Sequence, residues 1–223
     1  MIRQDYLMRL VAEMVQVLAR VLSLKQRQEY ELALREIDAA LRQLGDRLPG
    51  SPGESSVEDW IALCRQHAHA GSGLMAAVGE LLHQQGDLLA LQNKVEESHR
   101  SRALSLGLIL ESLLRGETFV SAELLAEVDQ LLQETRGAPL PAAVLGRLFQ
   151  YFEARGRFAK AEDALFSWLE AGDSRALTEG LAFFERLLTC DDAELERGGL
   201  PRSEVVQGRR ELLEASRTRL PAD

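Results

Sequence analysis

Two copies of the spacing Glu-x-x-His are the strongest candidates for chemistry in this sequence: Glu80 with His83, and Glu96 with His99. This spacing places both side chains on one helix face. Di-metal sites in helical bundles use two such motifs on facing helices, together with two further Glu residues. Only 12 residues separate His83 from Glu96, so both motifs can share one helix and never meet. We therefore expect solvated helix faces and no bound metal.

A second group of potential ligands consists of Cys64, His67 and His69, with Cys190 far away in the chain. Structural zinc requires four ligands, generally from two clusters, and the second cluster is missing. Cys64 and His67 would lie one helical turn apart, whereas a nucleophilic cysteine usually takes its base from another element. The sequence predicts free, mostly buried thiols, no catalytic residue and no cofactor.

Composition and motifs exclude several classes of function. The net charge of −9 disfavours a nucleic-acid-binding surface, which requires clustered basic residues. No phosphate-binding loop of the Gly-x-x-x-x-Gly-Lys type occurs. The sequence shows neither a signal peptide pattern nor the ~18 consecutive apolar residues of a membrane span, so we expect a cytoplasmic protein with no membrane or nucleic-acid partner.

The elements that must position these residues are helices, because Leu and Ala dominate and no window alternates as a strand would. Asp5 is expected to cap the first helix, and Ser56 with Asp59 is expected to form a capping box. The segment 103–110 is apolar nearly all round, which predicts burial on all sides. The expected helices are 5–25, 28–44, one beginning after Ser56, 72–85, 88–115, 121–135, 140–154, 158–171, 174–189 and 203–218.

We therefore predict an all-α protein of about ten helices. The chain is interpreted as one domain, 1–223, in which 1–45 forms an N-terminal hairpin, 57–135 the middle helices and 140–218 the C-terminal helices. A dense polar run precedes the buried segment and contains Arg100 and Arg102. It represents either a solvated helix start or the charged rim of a concave surface, and its other members are Glu96, Glu97 and His99.

One stretch resembles the tetratricopeptide repeat, a pair of antiparallel helices joined by a glycine turn. In this resemblance Gly156 forms the turn and Ala161 is the small residue at the helix crossing, whereas Phe149 departs from the small residue usual in the first helix. A weaker copy has Gln28 at the turn, and a third copy, around 81–110, is degenerate. An ordinary irregular bundle is the alternative. The matching positions are Leu145, Leu148, Phe152, Phe158, Leu165 and Trp168, then Val17, Leu24, Tyr30, Ala33, Ile37 and Ala40.

The two ends of the chain carry a further resemblance, in 5–9, 191–195 and the turn Gly-Gly-Leu-Pro-Arg within 198–204. Together with the repeat at Tyr30 to Ala40, they resemble a bacterial family of tetratricopeptide-like helical proteins without assigned activity. That resemblance implies a fold and supplies no catalytic residue.

The function predicted is that of a non-enzymatic helical-repeat protein that binds a partner protein or peptide, since helical repeats create extended grooves. One alternative is a structural homodimer formed through helix 1, whose apolar residues cover more than one stripe. Another is a metal-dependent enzyme that uses the two Glu-x-x-His motifs. The helix 1 residues in question are Leu7, Met8, Val11, Met14, Val15 and Leu18.

Overall fold

The computed structural model describes residues 2–45, 55–65, 71–116 and 122–219. These residues form eleven helices and no strand, which confirms the all-α prediction. The chain divides into two compact units, 1–144 and 145–223. The helices are α1 Ile2–Gln26, α2 Tyr30–Gly45, α3 Val57–Arg65, α4 Gly71–Leu91, α5 Val95–Leu114, α6 Ala122–Glu134, α7 Ala142–Ala154, α8 Phe158–Glu170, α9 Arg175–Thr189, α10 Asp192–Arg197 and α11 Arg202–Arg219.

Two predicted helix boundaries are wrong. α1 begins at Ile2, so Asp5 lies inside the helix and does not cap it. The expected helix 88–115 is divided, because α4 continues through Gly86 to Leu91 and the chain turns before α5. Asn93 at this turn is left-handed, with φ of 60°. Asparagine tolerates that conformation, but a polar run without Gly or Pro gives no strong turn signal in the sequence.

The start of α3 confirms the predicted capping box. The Asp59 amide donates to Ser56 Oγ at 3.2 Å, and the Ser56 amide donates to Asp59 Oδ2 at 2.9 Å. The two hydrogen bonds satisfy donors that the first helical turn cannot. They also lower the pKa of Asp59, chiefly through the backbone bond from Ser56.

The α4–α5 hairpin forms the buried part of the first unit. All residues from 103 to 112 on α5 are buried, as the apolar pattern of 103–110 predicts. Glycines on α4 allow a close approach: a Cβ at Gly79 would lie 2.7 Å from Ile109 Cγ1. Ser98 Oγ donates to the Gly86 carbonyl at 2.7 Å across the same interface. The hairpin is therefore held by small residues and side chain-to-backbone hydrogen bonds.

One turn geometry closes three helical hairpins, α1–α2, α4–α5 and α7–α8. The left-handed residues are Gln28, Asn93 and Gly156, with φ of 63°, 60° and 65°. In each turn the next amide donates to the carbonyl five residues before it, at 3.0, 3.0 and 2.9 Å. The residue five positions after the turn is small and buried in all three: Ala33, Ser98 and Ala161. The assignment of these hairpins to tetratricopeptide repeats stays a prediction.

Aromatic side chains fill the second unit. Phe149 packs edge-on against Phe183, with ring centroids 5.3 Å apart, and also contacts Trp168. The close approach between α7 and α8 occurs at Gly146, where a Cβ would lie 2.9 Å from the Trp168 ring. The small residue of α7 thus lies three positions before the large Phe149, which accounts for the departure from the repeat pattern.

The Gly-Gly-Leu-Pro-Arg motif has a structural role in this unit. Gly199 takes a φ of 77° just after α10 ends, a left-handed conformation that commonly terminates helices. Arg202 donates to the carbonyls of Leu188 and Cys190 at 3.2 and 2.6 Å, and it also pairs with Asp192. The motif therefore satisfies the carbonyl end of α9.

Candidate functional site

A buried histidine on α4 is the centre of the most concentrated polar chemistry in the first unit. His83 is 3% exposed. Its Nδ1 lies 3.1 Å from Glu127 Oε1, and its Nε2 lies 3.0 Å from Glu134 Oε2, both on α6. When both ring nitrogens carry protons, each donates to a carboxylate. We name the surrounding group the His83 cluster; it consists of Lys25, Glu80, His83, Asp87, Arg102, Glu127 and Glu134.

Cations occupy the Nε2 side of the His83 cluster. Lys25 Nζ lies 2.7 Å from Asp87 Oδ2, and an Arg102 amino group lies 2.9 Å from Asp87 Oδ1. Arg102 Nε is 3.0 Å from Glu134 Oε2, but the angle is too poor for a hydrogen bond, so this contact is an ion pair only. The carboxylates on this side therefore already have positive partners.

Carboxyl groups dominate the Nδ1 side. Burial, a hydrogen bond with Glu127 and the negative charge of Glu127 raise the pKa of Glu80 to about 8. Burial would raise the pKa of Glu127, but hydrogen bonds from His83 and Glu80 outweigh it and hold that pKa below its usual range. Glu80 is thus the protonated partner at neutral pH and donates to Glu127. Gln84 Nε2 donates to Glu80 Oε1 at 3.2 Å.

The charges around His83 favour its protonated form. Burial alone would lower the pKa of His83, but the hydrogen bond to Glu127 and the negative charges of Asp87, Glu134 and Glu127 raise it above the ordinary value. Burial would raise the pKa of Asp87, and hydrogen bonds from Lys25 and Arg102 lower it instead. The His83 cluster is therefore a network of charged hydrogen bonds in which protonated Glu80 leaves three cations facing three anions.

Helical periodicity explains why these residues meet. Glu80, His83 and Asp87 follow one another at spacings of three and four along α4, and Glu127 and Glu134 are separated by two turns on α6. Arg102 reaches the cluster from α5 because Gly86 leaves space for its stem: a Cβ at Gly86 would lie 2.6 Å from Arg102 Cγ. With Lys25 from the end of α1, four helices thus contribute side chains to the His83 cluster.

The second Glu-x-x-His motif does not join the first. Glu96 and His99 line a different concavity of about 560 Å³, formed by the start of α3, the first half of α5 and the segment between α6 and α7. Arg100 lies on the same rim. The two motifs do not meet, as expected, but they lie on different helices, α4 and α5. The expected solvated face is found at Glu96, which is exposed, and is wrong at His83, which is buried. The placement of Glu96, His99 and Arg100 at one concavity corresponds to the second interpretation of the polar run, a charged rim.

We name this concavity the α3–α5 pocket. Its floor is mainly apolar and its rim carries both signs of charge. The apolar lining comprises Val57, Ala103, Leu104, Ala138, Pro139, Leu140, Pro141 and Ala143, and the polar lining comprises Ser55, Ser56, Glu58, Glu96, His99, Arg100 and Thr135.

The cysteines are free. Cys64 is buried, and burial raises the pKa of its thiol to about 12, so the reactive thiolate is absent at neutral pH. Cys190 is half-buried, and burial raises its pKa as well. His67 and His69 lie outside the described residues, as do the side chains of Leu7 and Met8.

Sequence reasoning missed most of the His83 cluster. Glu127 and Glu134 lie beside the buried residues Val128 and Leu131 on α6. The position of these acids next to the apolar stripe is the one sequence feature that indicates their partial burial. Lys25 ends an amphipathic helix, where a basic residue is ordinary. Only tertiary packing brings these side chains to the Glu80–His83 motif.

These features define an all-helical protein with a buried histidine–carboxylate cluster and a separate apolar pocket. No helix within the described residues has the length and apolar character needed to span a membrane. The chain belongs to DUF6483, a family of unknown function, whose family model matches residues 1–217. Searches of curated proteins and of solved structures gave no match.

Proposed function

We propose that this protein is a non-enzymatic helical-repeat protein of the cytoplasm that binds a peptide segment of a partner protein. The observation that carries the proposal is the α3–α5 pocket. Its volume of about 560 Å³ lies within the range of ligand sites, which combine apolar walls with a few polar groups. An apolar side chain of the peptide fills the floor, and the rim contacts polar groups beside it.

The rim of the pocket carries charges of both signs. Glu58 and Glu96 are acidic, whereas Arg100 is basic, and His99 lies next to it in sequence. Charges on the rim of an interface contribute mainly to specificity and association rate. The apolar anchor therefore supplies most of the affinity, as central anchors do in other interfaces.

A peptide selection tests this function. A displayed library of random dodecamers is panned against the immobilised protein, and the enriched peptide is measured by fluorescence anisotropy. Leu140→Glu places a charge on a half-buried wall of the pocket and is expected to weaken binding at least about tenfold, since one lost apolar anchor and one unpaired charge exceed 1.4 kcal/mol. Val206→Glu places the same charge on an apolar residue that is 56% exposed in the second unit and is expected to leave binding unchanged.

Two results contradict the proposal. One is a selection that enriches no consensus with an apolar anchor. The other is an enriched peptide that binds Leu140→Glu as tightly as it binds the original chain.

A second candidate function, self-association through α1, has an observation of its own. α1 buries one apolar stripe, Leu10, Met14, Val17 and Val21. A second stripe lies one residue further along: Val15 is 53% exposed and Leu22 39% exposed, while Val11 and Leu18 are half-buried. The alternating spacing of four and three residues is that of a helix-pairing seam.

Light scattering tests this second candidate. A two-fold dimer, the commonest closed arrangement, has a mass of about 50 kDa, against 24.8 kDa for one chain. Val15→Glu is expected to return the mass to that of a single chain, and Val206→Glu is expected to leave the dimer intact. A monomeric mass at micromolar concentration contradicts self-association.

A further inference from the structure

Three potential metal ligands converge on the Nδ1 side of the His83 cluster. The ligand atoms of Glu80, His83 and Glu127 all lie within 4.8 Å of one another. One pair, His83 Nδ1 and Glu127 Oε1, is 3.1 Å apart. Two ligands at about 2.1 Å from one ion, at a tetrahedral angle, are about 3.4 Å apart. The present separation therefore fits a shared ion after a shift of a few tenths of an ångström.

The other nitrogen of His83 already has the partner that a metal-bound histidine requires. A ligating imidazole almost always donates its remaining N–H to a carboxylate or carbonyl, which fixes the ring. His83 Nε2 lies 3.0 Å from Glu134 Oε2, so Glu134 leaves the Nδ1 lone pair directed at Glu80 and Glu127. Gln84 similarly holds Glu80 through a hydrogen bond of 3.2 Å.

Charge balance points to a divalent ion. Without an ion, the charges of the His83 cluster balance because His83 and Glu80 are both protonated. An ion that binds here displaces these two protons, after which Lys25 and Arg102 supply two positive charges and Glu80, Asp87, Glu127 and Glu134 supply four negative ones. The two cations lie beside Asp87 and Glu134. The excess of two negative charges therefore belongs to Glu80 and Glu127, and a divalent ion at that point balances it.

We propose that Glu80, His83 and Glu127 form a binding site for one divalent transition-metal ion. The second triad, His83 with Asp87 and Glu134, is not the site, because Lys25 and Arg102 occupy its carboxylates. One imidazole with two carboxylates suits Zn²⁺, Fe²⁺ or Mn²⁺ more than Mg²⁺, which prefers oxygen ligands and retains its water. Three protein ligands leave a position for water. Glu127, 13% exposed, connects the site to solvent.

In the structure, the partner of the Glu80–His83 motif is different from the one that the sequence offers. The sequence offers Glu96 and His99 as the second motif, but these residues lie on the rim of the α3–α5 pocket. Glu127 comes from α6 instead. A mononuclear site with one Glu-x-x-His motif is therefore the arrangement that the helices permit.

Calorimetric titration of the full chain with ZnCl₂, after treatment with EDTA, tests the proposal. We expect one Zn²⁺ per chain and no competition from millimolar Mg²⁺. Glu80→Gln keeps the size and hydrogen bonding of the side chain but removes its charge, so it is expected to weaken Zn²⁺ binding at least about tenfold, the lower end for perturbed metal sites. Glu134→Gln leaves the three ligands in place but removes the charged partner of His83 Nε2 and of Arg102. It is expected to weaken binding by a similar factor.

Glu96→Gln is the matched control, because it makes the same substitution in the other Glu-x-x-His motif, and Zn²⁺ binding should not change. Circular dichroism melts verify that each variant is folded. The proposal is overturned if the original chain binds no Zn²⁺, if folded Glu80→Gln binds it normally, or if Glu96→Gln loses it. Competition by Mg²⁺ would mean that carboxylates alone bind the ion, which also overturns a site built on His83.

Discussion

The α4–α5 and α7–α8 hairpins have the same turn geometry but differ in the side chains that pack between their helices. Counted from the left-handed residue, the position seven before and the position nine after are Gly86 and Arg102 in the first hairpin, and Phe149 and Leu165 in the second. Phe149 and Leu165 are both fully buried. In α4–α5, a glycine instead leaves the space in which the arginine stem lies.

The comparison distinguishes the residues that specify the hairpin backbone from the residues that form the His83 cluster. The turn and the small residue five positions after it occur in both hairpins, so they specify the backbone. The residues seven positions before and nine positions after the left-handed residue do not determine the backbone, so an apolar pair or a glycine with a charged residue can occupy them. In α7–α8 this pair contributes to an aromatic core, whereas in α4–α5 it admits a cation that pairs with Asp87 and Glu134.

The largest expected effect comes from making the α4–α5 hairpin resemble the other one. Arg102→Leu introduces the residue type found at the equivalent position of α8. It leaves Asp87 with Lys25 and the longer contact to His83, 3.9 Å from Nε2, and it removes the ion pair to Glu134. Loss of one partner from a buried network costs several kcal/mol. We expect the free energy of unfolding to fall by about 3 kcal/mol, measured by urea denaturation.

Arg20→Leu is the control for this change. Arg20 pairs with Glu36 but its side chain is 55% exposed, and exposed pairs contribute less than about 1 kcal/mol. If Arg102→Leu is as mild as Arg20→Leu, the charges of the His83 cluster do not stabilise this hairpin, and the distinction between the two hairpins loses its energetic basis.

The second expected effect tests the α7–α8 hairpin at its crossing. Ala161 is fully buried five residues after Gly156. Ala161→Leu inserts three carbons into a packed interface, and overpacking of this kind costs about 1–3 kcal/mol. A thermal melt should show the loss. Ala154→Leu, at an exposed position of α7, should melt like the original chain; an unchanged melting temperature for Ala161→Leu would place the repeat register in error.

The sequence predicted the hairpins better than it predicted their contents. The capping box at Ser56, the buried segment 103–110 and the turn at Gly156 depend on neighbours within a few residues, and each is observed. The pairing of His83 with Glu127 spans 44 residues and depends on how α6 packs, which no local pattern specifies. Asn93 was missed for a different reason: its polar surroundings continue a helical pattern.

A third, smaller effect compares two glycines of α4. Gly86→Ala adds a Cβ that would lie 2.6 Å from Arg102 Cγ and 3.2 Å from the Ser98 carbonyl. Alanine improves helix propensity by about 1 kcal/mol, but the clash should exceed this gain and leave a net loss of about 1 kcal/mol. Gly73→Ala meets no atom within 4 Å and should stabilise the protein by about 0.5–1 kcal/mol.

Urea denaturation of both variants gives the comparison. Opposite signs support the role of Gly86 as the space for Arg102. Stabilisation by both substitutions would show that Arg102 rearranges at no cost, so that Gly86 is dispensable.

The last expected effect, which appears only above about pH 4.5, concerns an acidic group of α8 that, unlike the carboxylates beside Lys25 and Arg102, faces other acids. Burial, together with the negative charges of Asp163, Glu204 and Glu211, raises the pKa of Glu162 from 4.5 to about 7. Between these two values the folded state binds more protons than the unfolded state, so stability falls as pH rises from 4.5 to 7 and stays reduced above it.

Glu162→Gln lacks this proton equilibrium and is expected to be more stable than the original chain by about 1 kcal/mol at pH 8, a figure reduced for solvent screening of a half-buried group. The two chains should have equal stability at pH 4. Glu170→Gln, at an exposed position at the end of the same helix, should show no difference at either pH. A constant gap between Glu162→Gln and the original chain at pH 4 and pH 8 would mean that the substitution changes packing, because only a pH-dependent gap can come from the charge of Glu162.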